Sequence, residues 1–168
     1  MPIVNNVTRF LDQRKIIYQA FELPAEKLGA KETARLLRVP AEIVFKTIVA
    51  LRAAPGSKPI LAVIPGSREL DLKATAIFFG DKKISVPTQA EAEKLTGLQA
   101  GGISPLALIN KGFVVLLDQS AEKLPEIHIS GGQRGLNIRL PVKDLIRLTG
   151  ARLAHISTLS DSDELSDS

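Results

Sequence analysis

Val44-Phe45-Lys46-Thr47-Ile48-Val49-Ala50-Leu51-Arg52, then Ala53-Ala54-Pro55-Gly56-Ser57, then Pro59-Ile60-Leu61-Ala62-Val63-Ile64 is the stretch that decides the fold. Both apolar runs are rich in β-branched residues and read as strands, the first mostly buried. The turn chemistry between them makes a hairpin with a longer loop. One residue disturbs the first strand. Lys46 is the only charge between Ile43 and Leu51, and an ammonium taken out of water needs a partner. Either it sits at the strand's start or edge and snorkels to solvent, or it is held there for chemistry.

Working outward, Asn5 or Asn6 caps a helix reaching about Lys15, with Val7, Phe10 and Leu11 as its apolar stripe. Residues 17–23 read as a strand, and 31–38 as a short helix stopped before Pro40. Asp71 caps a helix to about Phe79 that Gly80 closes. A short strand at 83–86 precedes Thr88 and Glu91, whose spacing fits a capping box opening a helix that ends before Gly97. Strands follow at 113–118, 126–130 and 136–140. Pro141 starts a last helix, Gly150 ends it, and 152–156 adds one more strand.

These elements predict an α/β (α+β) chain with one compact domain over 1–156. The short strand spacing favours a mixed, mostly antiparallel, barrel-like sheet of about seven strands with surrounding helices. Residues 157–168 are dominated by Ser, Asp and Glu and read as an acidic, disordered tail.

Composition narrows the function classes. With 168 residues, 45% hydrophobic and 24% charged, the chain suits a soluble domain with a sizeable core. No apolar run approaches the roughly 20 residues of a membrane span. The N-terminus lacks the basic and apolar regions of a secretory signal, so the expected address is cytoplasmic. Absence of cysteine removes disulfides, thiolate nucleophiles and Cys-type metal sites. Net charge is +4, but residues 161–168 hold four acids and no base; the remainder has 22 basic against 14 acidic residues, a net of +8. That balance favours a polyanionic partner. Aromatics at 4% argue against a stacking platform of several rings.

The usual catalysts are missing. No HExxH, GxSxG or Walker pattern occurs. His128 alternates with Glu126 and Ser130 on one strand face and reads as a half-exposed structural residue, as does His155. What remains is lysine plus backbone. Gly101-Gly102-Ile103-Ser104-Pro105 permits close approach to a ligand, and Ser130-Gly131-Gly132-Gln133-Arg134-Gly135 leaves one strand and enters the next. Each loop alone is either a plain turn or a nest of N–H groups for an anion or oxyanion. Beside Lys46 and Arg134, they suggest a site that orients a phosphorylated ester and leaves hydrolysis to water.

Val44 to Val49, Leu70-Asp71-Leu72-Lys73, Gly101 to Leu106 and Ser130 to Leu136 occur in the order and spacing of the YbaK family, which this chain resembles over about residues 4–156. The family contains free-standing aminoacyl-tRNA deacylases and is similar to the editing (insertion) domain of bacterial prolyl-tRNA synthetase. The resemblance implies hydrolysis of the ester joining a mischarged amino acid to the tRNA 3′-terminal adenosine, without metal or other cofactor. It implies Lys46 as the key functional residue, with Gly101 and Gly102 positioning the scissile carbonyl. Substrate contacts are expected from Phe21, Thr47, Ile103, Ser104, Pro105, Ser130, Gly131, Gly132, Arg134 and Asn137. Implied partners are the aminoacylated tRNA end and prolyl-tRNA synthetase. Asn137 stands where the Cys-tRNA(Pro) deacylases have an acidic residue, and Phe21 where they have tyrosine. Cys-tRNA(Pro) is the first expected substrate, with Ala-tRNA(Pro) or another small amino acid as alternatives; a non-catalytic tRNA- or nucleotide-binding module, or an accessory protein of prolyl-tRNA synthetase, is the other reading.

Overall fold

The hairpin forms as its sequence predicts: β2 (Phe45–Arg52) and β3 (Ile60–Pro65) pair antiparallel from Phe45 opposite Pro65 to Ala50 opposite Ile60. They belong to a computed structural model that describes residues 3–159. Before them come α1 (Asn6–Gln13), β1 (Gln19–Glu22) and α2 (Ala30–Leu37). After them come β4 (Arg68–Leu70), α3 (Leu72–Phe79), β5 (Ile84–Ser85), α4 (Gln89–Thr96) and β6 (Val114–Asp118). The described chain closes with β7 (Glu126–Ser130), β8 (Leu136–Pro141), α5 (Val142–Thr149), β9 (Arg152–Ala154) and β10 (Ser157–Leu159).

Local chemistry sets the helix ends. Asn5, rather than Asn6, caps α1: its Oδ1 accepts from the Thr8 amide at 3.0 Å, and the Thr8 hydroxyl accepts from the Asn5 amide at 2.9 Å. Asp71 and Thr88 cap α3 and α4 through the Ala74 and Glu91 amides. Gly80, Gly97 and Gly150 end their helices in the left-handed conformation that glycine adopts without steric cost.

The five helices match the expectation, whereas the barrel-like sheet of about seven strands does not describe the molecule. Among the described residues ten strands are distributed over three sheets, in the orders β5-β2-β3-β6-β9, β1-β8-β7 and β4-β10. Antiparallel pairing prevails, but β3–β6 and β6–β9 are parallel, with helices carrying the crossovers. β4 and β10 are not among the strands expected from the sequence. β10 also moves the boundary expected at residue 156. Ser157, opposite Leu70, is buried, and its hydroxyl accepts from Arg68 Nε at 2.8 Å. The expected tail from 160 onward lies outside the described residues.

β3 is buried along its whole length between β2 and β6, as the middle strand of the five-stranded sheet. The three-stranded sheet has two unlike faces. Ile127, Ile129, Ile138 and Leu140 are fully buried and pack in one cluster with Leu11 of α1 and Leu145 of α5. On the other face Asn137 stands between Phe21 and Ser130, its partners across the ladder on either side. A single bridge, Val44 to His128, joins this sheet to the edge of β2. The cleft between them is where the site lies.

Candidate active site

A cavity of about 250 Å³ opens between the start of β2, the start of β8, both glycine loops and the segment leading into α2. Lys46 lines it, half-buried, with Nζ 3.4 Å from the Gly66 carbonyl. So the strand charge is neither lost in the core nor spread on the surface. Gly66 is needed there for close packing. A Cβ at that position would lie 2.4 Å from the Ala30 Cβ and 2.9 Å from the Val44 carbonyl. Its own amide donates to that carbonyl at 2.7 Å.

The two glycine loops support each other. A Cβ on Gly102 would meet the Gln133 Cα at 2.8 Å and the Arg134 amide nitrogen at 3.0 Å, so only glycine lets the backbones touch. Arg134 Nε donates to the Ala100 carbonyl at 2.6 Å, and the Ser130 hydroxyl lies 3.4 Å from the Gly101 carbonyl. From beneath, Asn5 Nδ2 donates to the Gly131 carbonyl and Gln133 Oε1, at 2.9 and 3.0 Å. The Arg134 guanidinium thus clamps the first loop through Nε.

Of the residues expected at the site, Lys46, Thr47, Gly101, Ile103, Ser130 and Asn137 line the cavity. The others lie outside its lining. Gly102 spends its amide on the Gln99 carbonyl at 2.8 Å, which removes it as an oxyanion donor in this conformation. Ser104 is fully buried and its hydroxyl accepts from the Leu106 amide, while Pro105 begins a 3-10 turn over Pro105–Ala107. Gly131 packs on Leu136 and Gly132 on Val7. The Phe21 ring centre is 5.5 Å from that of His128.

His128 corrects the sequence reading. It is 1% exposed, not half-exposed: the Phe21 ring and the Asn137 side chain lie against its imidazole, and Val44 bridges its backbone. Its Nδ1 is 2.9 Å from Asn137 Oδ1, and among the described residues its Nε2 is the one buried side-chain polar atom without a hydrogen-bond partner. Burial holds its pKa below 6.5, against the opposing pull of the Asn137 hydrogen bond.

The sequence reading missed one wall entirely. Leu23, Glu26, Leu28, Gly29, Ala30 and Thr33 all line the cavity. Their only signal is a segment without periodicity ahead of a short helix, which names no role. Glu26 is the only carboxylate among the lining residues and Lys46 the only cation. A half-buried ammonium, backbone loops and an amide side chain around a small cavity suit an anionic or carbonyl-bearing ligand.

Known proteins narrow this further. The family model of the aminoacyl-tRNA editing domain matches residues 25–148. A relative from Enterococcus faecalis, "Putative Cys-tRNA(Pro)/Cys-tRNA(Cys) deacylase EbsC", is 34% identical over 91% of this chain and 93% of its own. A crystal structure of a putative trans-editing enzyme for prolyl tRNA synthetase superposes with a TM-score of 0.76 at 26% identity, covering 93% of this chain and 99% of that one. A hypothetical protein of known structure shares the fold at a TM-score of 0.82 and 23% identity, over 92% of this chain and all of that one. With the lysine strand and both glycine loops closing on one cavity, the chain belongs to the aminoacyl-tRNA editing domain family, as its likeness to the YbaK proteins implies.

Proposed function

We propose that this protein acts in trans on mischarged tRNA, with Cys-tRNA(Pro) as the first substrate and Ala-tRNA(Pro) or another small aminoacyl ester next. The observation that carries the reading is Lys46 held half-buried in a cavity bounded by both glycine loops. At about 250 Å³ the cavity has room for the aminoacyl end of a tRNA. The relative's name supports cysteine as the first choice.

An aminoacyl ester is already activated, so orientation and charge stabilisation go far without a metal or other cofactor. Water adds to the ester carbonyl carbon, the carbonyl oxygen carries the developing negative charge, and the C–O bond to the ribose breaks. The released 3′-hydroxyl takes a proton and the amino acid leaves. Lys46, charged, holds the terminal adenosine phosphate or that developing oxyanion. A lysine general base ranks second, since it requires a strongly lowered pKa.

The test is a deacylation panel across Cys-, Ala-, Ser- and Pro-tRNA. Release of a small amino acid supports the reading. Tight tRNA binding with no turnover on any species replaces it with a non-catalytic tRNA-binding module. Co-purification with prolyl-tRNA synthetase adds that partner without excluding catalysis.

A further inference from the structure

The cavity wall between β1 and α2 is pinned through its backbone to both glycine loops. Leu23 donates its amide to the Gly135 carbonyl at 2.9 Å, and a Cβ on Gly135 would lie 3.2 Å from the Ala25 Cα. On the other side, a Cβ on Gly101 would lie 3.4 Å from the Lys27 Cα. Glu26 stands between these two contacts, its own amide donating to the Pro24 carbonyl at 2.8 Å. It lines the cavity, is exposed, and accepts no side-chain hydrogen bond from a described residue. The adjacent cation is engaged elsewhere, Lys27 Nζ donating to Gln89 Oε1 at 2.7 Å. The lining therefore offers a ligand one carboxylate, Glu26, and one ammonium, Lys46.

We propose that Glu26 is a specificity-determining residue that binds the α-ammonium of the aminoacyl ester. This rests on the ester-hydrolase reading and names the group by which the site selects its substrate. For a small amino acid, the 3′ end of a charged tRNA is anionic everywhere except at that ammonium. A carboxylate at the mouth of a site for such an end repels the phosphates and attracts only the amine. With Lys46 taking the phosphate or the oxyanion, both charges of the cavity meet their opposites on one substrate. A tRNA whose amino acid is acylated on nitrogen, as in peptidyl-tRNA, presents a neutral amide there and forfeits the charge-assisted bond. The site thus spares peptidyl-tRNA, although that molecule carries the same ester. Exposure keeps the Glu26 charge hydrated until the tRNA end covers it.

The experiment gives wild type, Glu26→Gln and Glu26→Asp the best ester of the panel and its N-acetyl derivative. It runs at about pH 6.5, where the free amine is charged, with thermal melts confirming folded protein. The readout is the ratio of kcat/KM for the free-amine ester to that for the acetylated one. Comparing this ratio between enzymes cancels the unequal lability of the two esters. Glu26→Gln is expected to lower it at least about tenfold, the scale of a hydrogen bond to a charged group. The loss falls on the free-amine ester alone, and Glu26→Asp, which keeps the charge, stays closer to wild type. An acetylated ester too slow to follow is read as a competitor, its Ki holding steady in Glu26→Gln while KM for the free-amine ester rises. A ratio that falls less than about threefold, or an equal loss on both esters, overturns the assignment while leaving deacylation intact. A wild-type chain that cleaves none of the panel overturns both.

Discussion

Lys46 carries a charge into a strand whose neighbours are apolar, and its value depends on keeping that charge inside the cavity. Lys46→Ala is expected to lower deacylation by at least about 10²-fold, the usual scale for removing one charge-stabilising group. Lys46→Arg separates the two roles: a guanidinium stabilises negative charge but cannot serve as a base near neutral pH. Residual turnover well above the alanine variant, measured as initial rates of amino-acid release, supports the electrostatic role; equal loss in both points to a base or to strict geometry. His128 makes a prediction about stability. Its folded pKa lies below 6.5, so the unfolded chain binds the proton first as pH falls. Stability is therefore unaffected by this group well above pH 6.5 and declines as pH drops below it. Melts of wild type and His128→Asn between pH 5 and 8 should show a shallower acid-side decline in the variant.

At the scale of elements, the cavity exists because backbone segments approach more closely than any side chain would permit. The turn after β3 carries Gly66 against the first residue of α2, and Gly102 carries one glycine loop against the other. Gly66→Ala and Gly102→Ala each force an added methyl into backbone, an overpacking that costs about 1–3 kcal/mol. Urea unfolding measures the loss. Gly102→Ala should also impair turnover beyond its stability cost, since it parts the loops that bound the site. Undiminished stability in both variants would mean that the loops yield more readily than their spacing indicates.

For the whole molecule, the parallel strand β9 and the short pair β4–β10 complete a fold that the hairpin begins. Truncation after residue 159 is expected to leave the melting temperature nearly unchanged, whereas truncation after 156 removes β10, takes away the Ser157 partner of Arg68 and should lower it. The first truncation also deletes Asp161, Asp163, Glu164 and Asp167, leaving 22 basic against 14 acidic residues, a net of +8. Affinity for tRNA should then rise at low salt and converge with wild type as salt screens the charge. Equal affinity at all salt concentrations would show that these carboxylates do not face the RNA.

Sequence alone determined what local physics controls. Helix ends follow from Asn5, Asp71, Thr88 and the glycines at 80, 97 and 150, because caps and left-handed glycines act within a few residues. The β2–β3 hairpin follows from two apolar runs around a turn, and Lys46 stands out because a lone ammonium in such a run has few explanations. Only the tertiary structure decided the rest. His128 alternates like a surface residue, yet it is buried against Phe21 and bonded to Asn137. The 23–33 wall of the cavity carries no periodic signal, and Gly102 looks like a ligand loop until its amide is seen bound to Gln99. Each of these depends on which distant segment fills the neighbouring space, and burial and hydrogen-bond satisfaction are settled only when those segments meet.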